Sequence, residues 1–347
     1  MLKASIFQKL RPKDDQPLAD KQTRCGVCQR RCVIPEGKTG FCRNKINQQG
    51  ILYTLNYGLI TGIQIDPIEK KPFYHFYPGS LVASIGGWGC NFRCKQCLNY
   101  WCSYSLKKPT LTSISPENLI KEVKKAHCPG IAFTYNEPVI WAEFVLDAAK
   151  LAKKEDLYTV FVTNGSWTKE TLDKIGPYID AANIDFKSFS ETTYQKQGAF
   201  FGQIPQMAKY AQEKYKIHLE ITTLLIPGIN DNPAELKKMT HWIAKNLGPK
   251  TPLHFSQFDP EAAPNKDFQK IPSTSIEQLE KAAGIAKKEG LEFVYIWAPH
   301  DNYSQGDLIC PKCHTICIKR TAWQPEIIAV DKKGRCAKCG ENLNLKQ

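Results

Sequence analysis

The sequence predicts an α/β protein built as an incomplete (β/α)6 TIM-like barrel, with small metal-bound cysteine-rich segments at its N- and C-termini. Three observations predict it. From about residue 81 short apolar runs alternate with amphipathic stretches, as βα units around a parallel sheet do. Polar residues recur where the apolar runs end, and such barrels carry their working groups at the C-terminal ends of the strands. Most of the fourteen cysteines fall into three clusters with metal-type spacing.

Taken in order, residues 1–24 are a polar, basic lead-in, 25–48 a cysteine-rich knob, and 51–80 a mixed stretch with strand-like pieces such as Ile51–Leu55. Together 1–80 form an N-terminal extension, 81–300 the barrel and 301–347 a ribbon-like tail. Strand candidates are Leu81–Ile85, Gly130–Thr134, Leu157–Thr163, Ala181–Phe186, His218–Leu225 and Pro252–Phe255, with Leu291–Trp297 as a seventh. Helices are expected at Pro116–His127, Pro138–Lys154, Lys169–Ile175, Pro205–Tyr215, Pro233–Asn246 and Ser275–Glu289. Several begin with a capping residue or an early proline, as in Ser115-Pro116 and Asn232-Pro233. Six or seven such units suit a curved, partial barrel better than an eightfold closure.

Hydrophobic content of 42% and charged content of 23% describe an ordinary globular chain. No apolar run is long enough to cross a bilayer, and no apolar leader segment suggests secretion. Clustered cysteines in such a chain point to metal ligation in a reducing cytoplasm rather than to disulfides. The net charge of +13 permits an RNA partner, although the paired lysines are spread along helix-like segments, where a solvated face is the ordinary explanation.

Cys90, Cys94 and Cys97 form a C-x3-C-x2-C loop after the first strand candidate. Three closely spaced thiolates suit an iron–sulfur cluster, in which a four-iron cube keeps one iron without a protein ligand. Zinc sites instead pair their ligands as C-x2-C with a second pair further on.

These motifs together resemble the radical S-adenosylmethionine (SAM) superfamily. The likeness is greatest to the radical SAM proteins of the AmmeMemoRadiSam system and the related pyruvate formate-lyase-activating enzymes. It covers Cys25 to about Cys339 and rests on the cysteine triplet, Tyr135-Asn136-Glu137-Pro138, Val162-Thr163-Asn164-Gly165, Asp185-Phe186-Lys187 and Ile226-Pro227-Gly228-Ile229-Asn230-Asp231. The resemblance implies that Cys90, Cys94 and Cys97 hold three irons of a [4Fe–4S] cluster and that SAM chelates the fourth. Reduction then cleaves SAM to methionine and a 5′-deoxyadenosyl radical that abstracts hydrogen from a substrate. It implies SAM contacts from Gln96, Asn136, Glu137, Thr163, Asn164, Asp185 and Lys187. Glu137 would accept from the SAM ammonium or cap the helix at Pro138. Asp185 and Lys187 share a strand face and would contact SAM or form a rim salt bridge. Gln96 stands where the superfamily usually has an aromatic or bulky apolar residue near adenine. Asp259 occupies a sixth-strand position where some activating enzymes have histidine, and takes no role from it.

Cys25, Cys28, Cys32 and Cys42 read as one metal site, zinc or a second cluster, with zinc favoured because a closed four-thiolate knob is a common structural device. Cys310, Cys313, Cys336 and Cys339 have zinc-ribbon spacing, leaving Cys317 as an extra buried thiol. His75 and His254 are expected to be structural, and His300 and Asp301 to lie on the substrate side.

The resulting expectation is an activating-enzyme-like radical SAM enzyme, served by flavodoxin or ferredoxin and acting on a protein. RNA, lipid or a small metabolite is the alternative substrate. A zinc-stapled binding module without catalysis is the alternative of another class.

Overall fold

The computed structural model describes residues 2–9 and 21–347, apart from the His300 side chain. Seven strands run parallel and adjacent in chain order: β1 (Leu81–Ile85), β2 (Gly130–Phe133), β3 (Tyr158–Thr163), β4 (Ala181–Asp185), β5 (His218–Leu225), β6 (Leu253–Gln257) and β7 (Val294–Ala298). Six crossovers join them through α1 (Pro116–Lys125), α2 (Ala142–Lys154), α3 (Lys169–Ile175), α4 (Ile204–Tyr215), α5 (Pro233–Asn246) and α6 (Ile276–Lys288). This is the expected α/β barrel of six units with the seventh strand in place. Ile63–Pro67 pairs antiparallel with β1 and Tyr303–Gln305 antiparallel with β7, so the sheet ends in two edges and does not close on itself.

The helix starts follow from side-chain oxygens that accept the first free N–H groups. Ser115, Thr168, Asn232 and Ser275 each cap their helix, and Ser275 with Gln278 completes a reciprocal capping box. One difference from the expected elements lies at Pro138. A 3-10 turn, Pro138–Trp141, precedes α2, because Trp141 Nε1 is drawn to Asn56 O at 2.6 Å. A short helix at Glu191–Lys196, capped by Ser190, was not expected. It is too brief to show a 3.6-residue apolar period.

Alternation along the strands divides the barrel interior into two levels. Asn183, Glu220, His254 and Tyr295 lie near the strand starts, and Asp185, Thr222, Leu224, Ser256 and Trp297 near the ends. The lower level is a buried polar layer centred on Glu220. Its carboxylate accepts Tyr74 N at 2.9 Å, His75 N at 2.7 Å, His254 Nε2 at 2.7 Å and His218 Nε2 at 3.3 Å. Burial opposes the Glu220 charge, but hydrogen bonds from His218 and His254 hold its pKa well below the usual carboxylate range. His75 meets Tyr295 Oη at 2.6 Å and Leu343 O at 2.8 Å, and burial pushes its pKa down to about 3. His75 and His254 are thus satisfied interior residues.

The knob belongs to the barrel core. Cys25, Val27, Cys28, Ile34 and Cys42 are buried in the same apolar cluster as the sheet and its helices. Lys45 Nζ crosses from the knob to Glu143 Oε2 on α2 at 2.5 Å, with both side chains buried. The tail instead builds a second core around Leu308, Ile318 and Leu343, joined to Tyr74 and Tyr295. Among the described residues no helix is long and apolar enough to cross a membrane.

Candidate active site

The upper level of the barrel is open. A cavity of about 460 Å³ lies there, bordered by Cys90, Cys94, Cys97, Glu137, Asp185 and Lys187. Gln96, Asn136, Thr163 and Asn164 border the same space. The ten residues singled out around the triplet therefore converge, although they come from four separate strand ends. The volume lies in the range of small-molecule sites.

The loop carrying the triplet is held along its length. Arg93 N donates to Gly198 O at 3.0 Å and Lys95 N to Gln197 O at 2.9 Å. Tyr104 Oη donates to Cys94 O at 2.6 Å. Asn136 spends its whole amide on this loop, accepting Gly87 N at 2.9 Å and donating to Gly89 O at 2.8 Å. Gly198 has φ +79°, and a Cβ there would overlap the Arg93 carbonyl oxygen, so the turn that seats the loop requires glycine. Burial pushes the Cys94 thiol up to about 12 and raises Cys90 and Cys97 as well. Thiols so disfavoured as free anions are poor nucleophiles and suit ligation by a cationic metal core.

Glu137 is the hub of the opposite wall. Oε1 accepts Thr163 Oγ1 at 2.6 Å and Val139 N at 3.0 Å, and Oε2 accepts Asn164 N at 2.7 Å. It caps the turn at Pro138 and also joins β2 to β3. Burial, partly offset by these hydrogen bonds, raises its pKa to about 7. Thr163 in turn accepts Gly165 N at 3.1 Å. Asn164 Nδ2 donates to Asn91 Oδ1 at 2.9 Å, while its Oδ1 accepts Ser166 N at 3.0 Å. Tyr135 adopts φ +69°, rare for a bulky residue, with its hydroxyl on Asp66 Oδ2 at 3.1 Å.

Lys187 Nζ lies 3.2 Å from Asp185 Oδ2. Burial opposes the lysine charge, but the Asp185 carboxylate outweighs it and holds its pKa above the ordinary value. Gln96 Nε2 donates to Gln197 Oε1 at 2.5 Å. Gln96 Oε1 and Thr222 Oγ1 are buried without a protein partner, and both residues border the cavity. Orphaned acceptors in such a wall fit a polar ligand, so the donor set present suits SAM beside a thiolate-held cluster.

The sequence reading missed Asn91, Ser166 and Gln197. Asn91 sits inside the cysteine loop, but its partners are remote in sequence, as with Ser166 Oγ at 2.6 Å from Asn91 Nδ2. Of the substrate-side pair, Asp301 accepts Gln257 Nε2 at 2.6 Å, and the His300 side chain lies outside the described residues.

The two outer cysteine groups differ. The sulfurs of Cys310, Cys313, Cys336 and Cys339 all lie within 4.8 Å of one another. Cys310 and Cys339 are 3.5 Å apart and Cys313 and Cys336 3.6 Å. Hydrogen bonds from Thr315 lower Cys313 to about 6. Cys317 is buried beside this set but outside it. Among the described residues no other group of three or more candidate ligand atoms is so compact, and neither the triplet nor the N-terminal four is an exception.

The family model described as the radical SAM superfamily matches residues 85–243. An uncharacterized protein of Methanocaldococcus jannaschii is 36% identical over 332 residues, 95% of this chain and 97% of its own length. Residues 85–243 form a radical SAM superfamily domain. Another relative, the pyruvate formate-lyase 1-activating enzyme of Escherichia coli strain K12, is 28% identical over 155 residues, 42% of this chain and 61% of that protein. A radical SAM methyltransferase from Sphaerobacter thermophilus has the same fold, with a TM-score of 0.50 at 13% identity over 64% of this chain and 67% of that one. Radical SAM membership implies a [4Fe–4S] cluster and SAM as the reacting groups.

Proposed function

We propose that Cys90, Cys94 and Cys97 hold the [4Fe–4S] cluster and that the cavity beside them binds SAM for radical chemistry on a protein substrate. The observation that carries this is the convergence of the triplet with Glu137, Thr163, Asn164, Asp185 and Lys187 on one cavity of about 460 Å³. When bound, the reduced cluster supplies the electron that cleaves SAM to methionine and a 5′-deoxyadenosyl radical. The chain's own residues bind and orient. Glu137 has one lone-pair position left beyond the three hydrogen bonds it accepts, and this takes an N–H of the SAM amino group. Gln96 Oε1 accepts from the adenine amine. Lys187 and Asp185 present a fixed charge pair to the polar end of the ligand. Asn136 and Tyr104 keep the loop rigid, so that the distance from thiolates to ligand does not vary.

A protein substrate is favoured by the likeness to an enzyme named for activating pyruvate formate-lyase, and a flavodoxin or ferredoxin in a reducing cytoplasm is the donor this implies. Zinc is assigned to Cys310, Cys313, Cys336 and Cys339, whose compact spacing suits a single tetrahedral ion. The test is anaerobic reconstitution followed by measurement of iron, SAM cleavage and deoxyadenosine. Activity should require Cys90, Cys94 and Cys97. Deoxyadenosine formed equally by the variant with all three replaced by alanine would refute the assignment. A glycyl radical signal with a candidate partner identifies the protein branch, and its absence with every protein partner while deoxyadenosine is still formed argues against that branch.

A further inference from the structure

The N-terminal cysteines lie outside both the cavity lining and the compact C-terminal set. Cys25, Cys28 and Cys42 are buried and Cys32 is half-buried. They form one group: Cys25 N donates to Cys32 O at 2.9 Å, and Cys25, Cys28 and Cys42 lie in one buried cluster against which Cys32 packs. Yet no three of their sulfurs come within 4.8 Å of one another, as the C-terminal four do. Four thiolates on one zinc, each about 2.3 Å from the ion, must pack as tightly as the C-terminal set. Thiolates on separate irons of a cluster stand further apart. The sulfurs of Cys90, Cys94 and Cys97 likewise do not gather within 4.8 Å of one another.

The knob is also joined directly to the active-site loop. The side chain of Asn91, the neighbour of Cys90, lies against Cys28, and its carbonyl accepts Arg30 Nε at 3.0 Å. The same side chain reaches Ser166 and Asn164 on the cavity wall. Residues 26–29 are stapled to the rim by Thr168 Oγ1 to Gly26 O at 2.7 Å, Thr171 Oγ1 to Val27 O at 2.6 Å and Gln29 N to Ser166 O at 2.9 Å. A merely structural zinc knob has no need of this position. On the outer side, the exposed ring of Phe41 lies between the guanidinium groups of Arg30 and Arg93, 3.6 and 4.2 Å away.

We propose that Cys25, Cys28, Cys32 and Cys42 hold a second iron–sulfur cluster, which relays single electrons past Asn91 to the metal centre at Cys90, Cys94 and Cys97. The relay rests on the reading of that triplet as a cluster site. One electron leaves a reduced carrier protein of the flavodoxin or ferredoxin class, which is oxidised by one electron. The second cluster is reduced by that electron and reoxidised as it passes it inward. No bond breaks and no proton moves at the second site.

The test uses the full chain with the Cys90→Ala, Cys94→Ala and Cys97→Ala substitutions together, reconstituted anaerobically. It should retain about four irons per chain, with a reduced-state electron spin resonance signal that SAM does not alter. An iron-free variant with zinc at the knob would overturn the proposal. The relay is tested in the otherwise native chain with Cys28→Ser. SAM cleavage driven by dithionite, a small reductant, should persist, while cleavage driven by reduced flavodoxin is lost. Equal retention with both reductants overturns the relay. If the native chain cleaves no SAM with either reductant, the active-site reading fails, while iron retained by the triple variant still supports the second cluster.

Discussion

The sharpest prediction concerns Glu137→Gln. Three donors converge on two carboxylate oxygens, with Thr163 Oγ1 and Val139 N on Oε1 and Asn164 N on Oε2. Glutamine offers one oxygen. Its better orientation keeps the pair on that oxygen and turns its NH2 against Asn164 N–H. One buried donor is then orphaned, at about 1–3 kcal/mol. Against this, the native carboxylate has its pKa raised to about 7 by burial. A raised carboxylate pKa favours folding below the unfolded value and loses that contribution as pH rises through the folded one. Keeping Glu137 ionised at pH 8 therefore costs the ligand-free protein about 3 kcal/mol, which the amide avoids. The two effects nearly cancel, so the variant should melt close to the native protein. SAM affinity should not be spared. Loss of a charged acceptor for the SAM amino group removes about 1.5–3 kcal/mol, a rise in Kd of about ten- to 150-fold. Equilibrium dialysis of labelled SAM against reconstituted protein, normalised to iron, reads this directly. Unchanged affinity at full iron content would refute the role given to Glu137.

Three further outcomes are expected. Gly198→Ala puts a Cβ against the Arg93 carbonyl at φ +79°, which should cost about 1–3 kcal/mol and lower the iron retained by the triplet; full iron and native melting would show that the turn tolerates alanine. Because His75 is held neutral in the fold, with its pKa pushed down to about 3, stability is complete above the unfolded histidine value. It should fall by up to about 1.4 kcal/mol per unit as pH drops below about 6.5; denaturant titrations should show this slope reduced in His75→Gln. Cys336→Ser should remove about one zinc per chain while leaving the iron in place, measured by metal analysis; an unchanged zinc content would move the ion elsewhere.

Much of the barrel was legible because its strands are covered on both faces and read as apolar runs, while the helices announce themselves by caps at Ser115, Asn232 and Ser275. The candidate site was legible for a similar reason. Each βα unit ends its strand on the same rim, so polar residues at strand ends such as Glu137, Asn164 and Asp185 must meet. What escaped was contact without local pattern. Asn91 carries no periodic signal, and Gln197 lies in a turn after a helix too short to be recognised. The 3-10 turn at Pro138 depends on a hydrogen bond from Trp141 to Asn56, 85 residues away.

The same division holds for the three cysteine groups. Sequence by itself sorted most of the cysteines into three groups by spacing, because ligands that share a metal often lie close along the chain. It also determined the radical SAM likeness, since the triplet and the strand-end motifs are local words. Only the tertiary structure decided how far apart the sulfurs of each group stand and what each group touches. It closes Cys310, Cys313, Cys336 and Cys339 to single-ion spacing in a core of their own, and leaves the N-terminal four open against Asn91. Spacing between sulfurs is a property of packed backbones, and packing is settled by partners distant in the chain.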